Sequence, residues 1–414
     1  MTKCRFCKYS LEHIVVDLKN QPSANRLLSI EDLRNLKQGK HEQKGSLTTY
    51  ICDNCSLVQL GNITAPEDLF TDDYVYYSSF SNEWVEHARV FVEEIISKFK
   101  LTSKSRVLEI GSNDGYLLQH FVPHNIPCQG IDPAGQAAKA AEEKGVNTIV
   151  GFFNKTTSQK IVQHFGACDL IIGNNVFAHV PKIREFINAI KSCLSEKGIV
   201  SLEFPHLASL VEYTQFDTIY DEHYFYHSII ALTNIFSDFN LKIIEVNELP
   251  THGGSLRIFL THEANHNYSI SHSVRYVLNK ELAMKLDRKE GFQRLQEKAE
   301  LIRKNTLDFI KRRKDKGQKI IAFGAAAKGN VFLNYCGINS DDINCVVDDT
   351  PAKQGKFLPG SHIPVVAVDA IRDIKPDIII ILPWNFRKEI CQKLNFVKEW
   401  EGQLVTFIPE IKIS

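Results

Sequence analysis

The sequence predicts an α/β chain with a doubly wound, mostly parallel sheet at its centre, a small cysteine-knuckle module ahead of it and a second Rossmann-like domain behind it. Three observations carry this. An apolar strand runs into a glycine turn at 106–115, apolar runs and amphipathic stretches then alternate to about residue 262, and a second strand, small-residue loop and helix follow at 319–335. At 414 residues the chain is too long for one core. The expected domains are 1–75, 76–265 and 266–414.

The first elements are two C-x-x-C knuckles, Cys4-Arg-Phe-Cys7 and Cys52-Asp-Asn-Cys55, the spacing that brings both thiolates of a pair to one tetrahedral zinc. Four thiolates leave no open position, so a zinc held by Cys4, Cys7, Cys52 and Cys55 is structural. Redox or incidental cysteines are the competing reading, because the 44-residue gap is longer than in a compact ribbon. Ser46 to Leu60 fits a hairpin folded over the metal. Next, Tyr74-Val-Tyr-Tyr-Ser-Ser-Phe-Ser81 gathers aromatics and hydroxyls, either to close over a polar ligand or as a packed linker. An amphipathic helix is expected from Asn82 to about Lys98.

Arg106-Val-Leu-Glu-Ile-Gly-Ser-Asn-Asp-Gly115 reads as a buried strand and a polar glycine turn, with a helix pattern from Tyr116 to Phe121. Glycine lets the backbone turn sharply and approach a ligand closely. A second strand, Pro127–Ile131, ends in Asp132, 21 residues after Gly111, placed to accept hydrogen bonds from ribose hydroxyls. The loop is not G-x-G-x-x-G. A dinucleotide needs helix-terminus amides against its pyrophosphate, whereas S-adenosylmethionine has no phosphate and carries a sulfonium, which suits an E-x-G-x-x-x-G loop with Glu109 before it. A methyltransferase is therefore favoured over a nicotinamide enzyme, with Glu109, Gly111, Asn113, Gly115 and Asp132 expected at the cofactor.

Strands continue at 147–150, 168–172 and 198–202, with helices near 135–144, 156–165 and 183–194. Polar groups fall at the strand ends: Asn174 and Asn175, expected at the cofactor, then His179, and Glu203 to His206. The densest chemistry is Asp217-Thr-Ile-Tyr-Asp-Glu-His-Tyr-Phe-Tyr-His227. Glu222 and His223 are adjacent and face different ways on a helix or a strand, so an acid/base cluster is favoured over a metal site. Strands at 241–248 and 255–261 form an antiparallel hairpin closing the sheet. From the turn between them, His252 and Arg257 are candidates to project toward the site.

In the last third, a long charged helix is expected from about Asn279 to Lys314, then the strand Lys319–Gly324 and the loop Ala325-Ala-Ala-Lys-Gly-Asn330. Its small residues, helix amides and Lys328 make it friendly to phosphate, though it is not a P-loop. Strands at 344–348 and 378–382 complete the pattern. Lys+Arg and Asp+Glu number 49 each, which leaves no footprint for nucleic acid or an anionic membrane. No apolar run is long enough for a signal peptide or a membrane span, so a cytoplasmic protein is expected, with its cysteines as thiols or metal ligands.

The two knuckles, the Tyr-x-Tyr-x-Ser-Ser-x-Ser run at 74–81, Glu109-Ile-Gly-Ser-Asn-Asp-Gly115, Tyr220-x-Glu-His223 and His252-Gly-Gly-Ser-Leu-Arg257 together resemble the sugar C-methyltransferases. These enzymes branch nucleotide-linked keto-deoxysugars, as in the tetronitrose and mycarose pathways. The resemblance spans essentially the whole chain, with its motifs in the family's order. It implies S-adenosylmethionine as cofactor, a structural zinc, a nucleotide-linked 4-keto-6-deoxysugar (dTDP or GDP) as substrate, and a C-terminal lobe that helps hold it. It also implies roles: His223 as base, Glu222 orienting it, Tyr220 donating to the enolate oxygen, His179 as a second acid/base group and Tyr76 at the substrate. Further substrate contacts are expected from Ser79, His252, Arg257, Lys328 and Asn330. Asp221 and Asp348-Asp349 are more acidic than the simplest pattern. An O- or N-methyltransferase acting on a nucleotide-linked sugar is the alternative, and proton exchange at the α-carbon separates it from C-methylation.

Overall fold

The computed structural model describes residues 2–69 and 77–414. Tyr76 therefore lies outside the described residues. Seventeen strands, all within them, form three sheets.

The N-terminal sheet consists of His13–Pro22 (β1), Lys44–Ile51 (β2) and Val58–Leu60 (β3). The hairpin expected at 46–60 is present, with Thr49 opposite Leu60 and Ile51 opposite Val58, so the second knuckle is its turn. β1, the helix Ile30–Lys37 and β2 occupy the gap between the knuckles.

The central sheet is built from Val107–Ile110 (β4), Cys128–Asp132 (β5), Thr148–Val150 (β6), Cys168–Asn174 (β7) and Leu194–Pro205 (β8). Phe225–Tyr226 (β9) follows, and then the hairpin Leu241–Leu249 (β10) and Ser255–His262 (β11). The order is β10-β11-β8-β7-β4-β5-β6. The strands from β8 to β6 run parallel, while β11 is antiparallel to β8. The chain reverses its direction of travel between β4 and β7, so the crevice at their carboxyl ends is where such a sheet takes a ligand.

β9 does not join this sheet. It pairs antiparallel with β3, Tyr226 opposite Val58 and Phe225 opposite Gln59, and so becomes the fourth strand of the N-terminal sheet. The segment holding the acid/base cluster is thus held by the cysteine module, a connection across 160 or more residues that no local pattern signals.

The C-terminal lobe carries Ile320–Phe323 (β12), Val346–Val347 (β13), Val365–Val366 (β14), Ile378–Ile381 (β15), Gln403–Thr406 (β16) and Lys412–Ile413 (β17), in the order β14-β13-β12-β15-β16-β17. Its core is continuous with the N-terminal sheet: Leu18, Leu60, Phe216, Ile302 and Phe332 belong to one buried cluster. Among the described residues, no helix is long and apolar enough to cross a membrane.

Two local expectations fail. The helix expected from 279 to 314 is two helices, His272–Ala283 and Leu295–Lys314. Between them Leu286 and Phe292 turn into the core, Lys285 has φ 59°, and a Cβ at Gly291 would sit 2.5 Å from the Lys285 carbonyl. The pattern from Tyr116 to Phe121 gives 3-10 turns at Leu118–His120 and Val122–His124 instead of an α-helix. Pro123 lacks an amide hydrogen and Asn125 is left-handed, so no helix propagates. The glycine turn consequently lacks the long helix terminus that a pyrophosphate requires.

Candidate active site

The lobes and the N-terminal module enclose a cleft of about 1190 Å³. That is more than one small ligand usually fills.

At one end of the cleft, Gly111 has φ +68° and a Cβ there would lie 2.5 Å from Val176 Cγ2, so only glycine permits the turn. Asn113, Asp132, Asn174 and Asn175 line the cleft beside it, with apolar Ile131, Pro133, Phe152 and Val176. Asp132 braces the turn, accepting from the Asn113 amide at 2.9 Å and the Ala134 amide at 2.8 Å. Each carboxylate oxygen keeps a second lone pair for a ligand. Burial raises the pKa of this carboxyl above its ordinary value. Buried Asn174 Nδ2 and Oδ1 and Asn175 Oδ1 have no partner among the described residues. Polar atoms in that condition at a cleft wall suit a ligand with hydrogen-bonding groups.

At the other end, Tyr220, Glu222, His223, His179 and His252 meet Lys328, Lys353 and Asn385 from the C-terminal lobe. His223 Nδ1 lies 2.9 Å from the Thr218 carbonyl, which can only accept, so this nitrogen carries the proton. Nε2 is then an acceptor, and the Tyr220 hydroxyl donates to it at 2.8 Å. Burial, followed by the neighbouring His179, pushes the pKa of His223 well below its ordinary value. The His179 ring stands edge-on to it at 4.8 Å and is itself lowered to about 4 by burial. His252 is likewise lowered to about 4 by burial. All three imidazoles are therefore neutral at pH 7.

The expected role of Glu222 as the group that orients His223 falls instead to the Thr218 carbonyl. Glu222 accepts from Asn25 Nδ2 of the N-terminal module at 2.7 Å, and burial pushes its pKa up to about 7. The folded-state pKa is raised, so the carboxyl contributes no penalty while both states are protonated. The penalty grows as pH rises from about 4.5 toward 7 and is complete above that. Glu222→Gln keeps the acceptor for Asn25 and removes the ionisation. It is expected to leave stability unchanged near pH 4.5 and raise it by about 3 kcal/mol at pH 8, measured by denaturant melts at the two pH values.

Several expected site residues turn inward. Glu109 is fully buried in β4 with neither oxygen partnered among the described residues, and burial, then Asp132, raises its pKa well above the ordinary carboxylate value, which disfavours a counter-charge there. Gly115, with φ +74°, packs against Ala141 rather than lining the cleft. The Ser79 hydroxyl donates to Asp114, while its neighbour Ser78 lines the cleft. Arg257 lies directly opposite Glu203 across β11 and β8 and is buried against it, with its guanidinium 4.0 Å from the Phe91 ring. Glu203 also meets His87 at 3.1 Å; burial would raise its pKa, but His87 and Arg257 hold it down at about 2. Asn330 is buried and accepts from Asn334. Two of the three acids outside the simplest pattern brace the backbone, Asp221 accepting from the Ala24 amide and Asp348 from the Ala325 amide, while Asp349 pairs with Lys393.

Other groups are at the site without having been singled out. Trp84 lines the cleft and stands edge-on to His252 at 5.2 Å. Buried Asp217 accepts from Trp384 Nε1 at 2.7 Å, and burial raises its pKa to about 6. Trp384 and Asn385 follow β15, a strand-end position that the fold class makes informative. Asn25 had no signal, because only the tertiary fold brings it to Glu222.

The four knuckle sulfurs lie within 4.8 Å of one another, with Cys4 and Cys55 3.7 Å apart and Cys7 and Cys52 3.4 Å apart. Zinc–sulfur bonds of about 2.3 Å separate tetrahedral sulfurs by roughly 3.8 Å, so this set fits one zinc. No open ligand position remains for chemistry.

Three family models match in series: "Putative zinc binding domain" over 4–70, "Methyltransferase domain" over 84–246 and "C-methyltransferase C-terminal domain" over 250–409. The chain is 29% identical to the C-methyltransferase NovU of Streptomyces niveus over 99% of its own length and 96% of that protein. Among solved structures it is similar to the magnesium protoporphyrin IX methyltransferase ChlM of Synechocystis PCC 6803 (14% identity, 43% of this chain and 83% of that one, TM-score 0.35). An S-adenosylmethionine-dependent methyltransferase of Clostridium acetobutylicum is also similar (10% identity, 43% and 92%, TM-score 0.35).

Proposed function

The chain belongs to the C-methyltransferases that carry an N-terminal zinc-binding domain, and on that premise we propose that it methylates C-3' of a nucleotide-linked 4-keto-6-deoxysugar through an enolate. The observation that carries this reading is the meeting, in one cleft, of a glycine turn with an acid at the next strand tip and a neutral histidine whose tautomer is fixed. The resemblance of the Tyr220-x-Glu-His223 segment to the sugar C-methyltransferases adds the substrate class.

S-adenosylmethionine, when bound, supplies an electrophilic methyl group on a sulfonium. Asp132 is suited to its ribose, Asn113, Asn174 and Asn175 to its amino-acid end, and the apolar wall of Ile131, Pro133 and Phe152 to its base. A ketone makes the hydrogen on the neighbouring carbon acidic, and a neutral imidazole is the acceptor that removal of this proton needs. His223 takes the proton at Nε2 while the Thr218 carbonyl keeps the ring from turning. The Tyr220 hydroxyl, which donates to Nε2, shifts that donation to the carbonyl oxygen as charge develops there when substrate enters.

The test is mass spectrometry of products from a panel of dTDP- and GDP-linked 4-keto-6-deoxysugars with S-adenosylmethionine, combined with deuterium exchange at the α-carbon. Methylation accompanied by exchange is expected. Methylation of a hydroxyl or an amine without exchange would replace this reading with O- or N-transfer.

A further inference from the structure

Lys328 opens the first turn of the helix Ala327–Cys336 in the C-terminal lobe, and its surroundings differ from those of a phosphate-binding cation. Among the described residues its ammonium makes only long hydrogen-bond contacts, 3.4 Å each, to the His252 carbonyl and to Asn385 Oδ1. It sits over the Trp384 ring at 5.0 Å, and that indole is fixed by donating to buried Asp217. Gly324, just ahead, has φ +93° with Pro383 where a Cβ would stand, so the loop is pressed onto the Pro383–Asn385 segment. Gly253 is pressed onto the same segment from the other lobe, since a Cβ there would lie 2.4 Å from the Trp384 ring. The ammonium is thereby carried to the His223 end of the cleft, where its charge lowers the proton affinity of both His223 and His252. Lys353, by contrast, donates to the Ala325 carbonyl at 3.0 Å beside Asp348, at the tip of the lobe's own second strand. Of these two cleft-lining lysines, Lys353 lies at the backbone turn and Lys328 faces the acid/base cluster.

We propose that Lys328 is a catalytic residue, donating a charge-assisted hydrogen bond to the substrate oxygen that becomes the enolate oxyanion, with Asp217 and Trp384 as the positioning residues that aim it. This rests on the enolate reading above and deepens it. As His223 removes the α-proton, the C–H electron pair becomes the new carbon–carbon π bond and the carbonyl π pair moves to oxygen. Lys328 keeps its proton and stabilises that oxygen. When the carbon attacks the sulfonium methyl of bound S-adenosylmethionine, the carbon–carbon π pair would form the new carbon–methyl bond, the methyl–sulfur pair would leave with the sulfur as a neutral thioether, and a pair on oxygen would restore the carbonyl. A fixed cation aimed where charge appears contributes chiefly to the transition state. The C-terminal lobe therefore supplies part of the reaction centre in addition to a hold on the nucleotide.

The test uses the full-length protein, a dTDP-linked 4-keto-6-deoxysugar and S-adenosylhomocysteine in deuterium oxide, with α-deuteration followed by NMR. Lys328→Gln is expected to bind both ligands within about threefold of wild type and to lower exchange at saturating sugar by about 10²-fold or more. Lys328→Arg is expected to recover part of that loss, and unchanged S-adenosylhomocysteine affinity shows that each variant is folded. A Lys328→Gln protein that needs more than tenfold higher sugar concentration but exchanges at the wild-type rate once saturated would place the lysine on the diphosphate and overturn the proposal. Wild-type exchange with no effect of the substitution would also overturn it. If wild type itself exchanges no α-proton with any sugar of the panel, the enolate reading fails, and the lysine assignment with it.

Discussion

Replacing His223 with asparagine is expected to lower kcat by about 10³-fold while leaving affinity for S-adenosylmethionine unchanged. The imidazole is the group at the cleft whose protonation state is fixed by geometry: Nδ1 is committed to the Thr218 carbonyl and Nε2 is left as the acceptor. Asparagine has no equivalent lone pair in that position. The turn proposed for the cofactor is built from β4 and β5, in a different sheet from β9, the strand that follows His223. Single-turnover methyl transfer and a cofactor titration on the same variant separate these effects. Burial and then the neighbouring His179 hold the imidazole below its ordinary value of 6.5, so its protonation should switch activity off only in the range below pH 6.5. Turnover by the variant within a few-fold of wild type would remove His223 from the role of base.

The parts of this site visible in the sequence are those fixed by local physics. The turn at Gly111 follows from the steric demand of its backbone, the knuckles from the reach of two thiolates three residues apart, and the crevice from the alternation of strands and helices. What stayed hidden depends on which distant segments meet. The pairing of β9 with β3 takes the Glu222–His223 segment out of the central sheet and gives it to the N-terminal one. Asn25 reaches Glu222 across 197 positions and Trp384 reaches Asp217 across 167. Arg257 shows the opposite error, a residue type suited to a ligand yet neutralised inside the fold. The cross-strand Glu203 was the available clue, since β8 and β11 were both expected and opposite charges in neighbouring strands pair. Glu109 is poorly placed for a counter-charge because burial in a fully covered strand favours its neutral form.

If the knuckles hold a zinc, as their geometry fits, its removal by chelation or by Cys52→Ser is expected to lower methyl transfer sharply even though the knuckles lie outside the reacting centre. The chain of contacts is short. Cys52 and Cys55 form the turn between β2 and β3, β3 pairs with β9, and the Leu60 amide donates to the Tyr224 carbonyl at 3.0 Å, one residue from His223. The same module supplies the Asn25 side chain to Glu222 and the Ala24 amide to Asp221. Structural zinc contributes on the order of 10 kcal/mol to small cysteine modules, more than such a sheet can forgo. Once the turn opens, β9 loses its only strand partner among the described residues, and Tyr220 and His223 lose the frame that keeps them together. The glycine turn belongs to a different sheet, so cofactor affinity should survive while turnover falls by 10²-fold or more, the scale expected when an acid/base pair is displaced. Calorimetric titration with S-adenosylmethionine, run beside the activity assay before and after zinc is restored, distinguishes this from general unfolding. If the chelated protein keeps full turnover, the module does not hold the site; if it loses cofactor binding in parallel, the dependence runs through the whole fold rather than through β9.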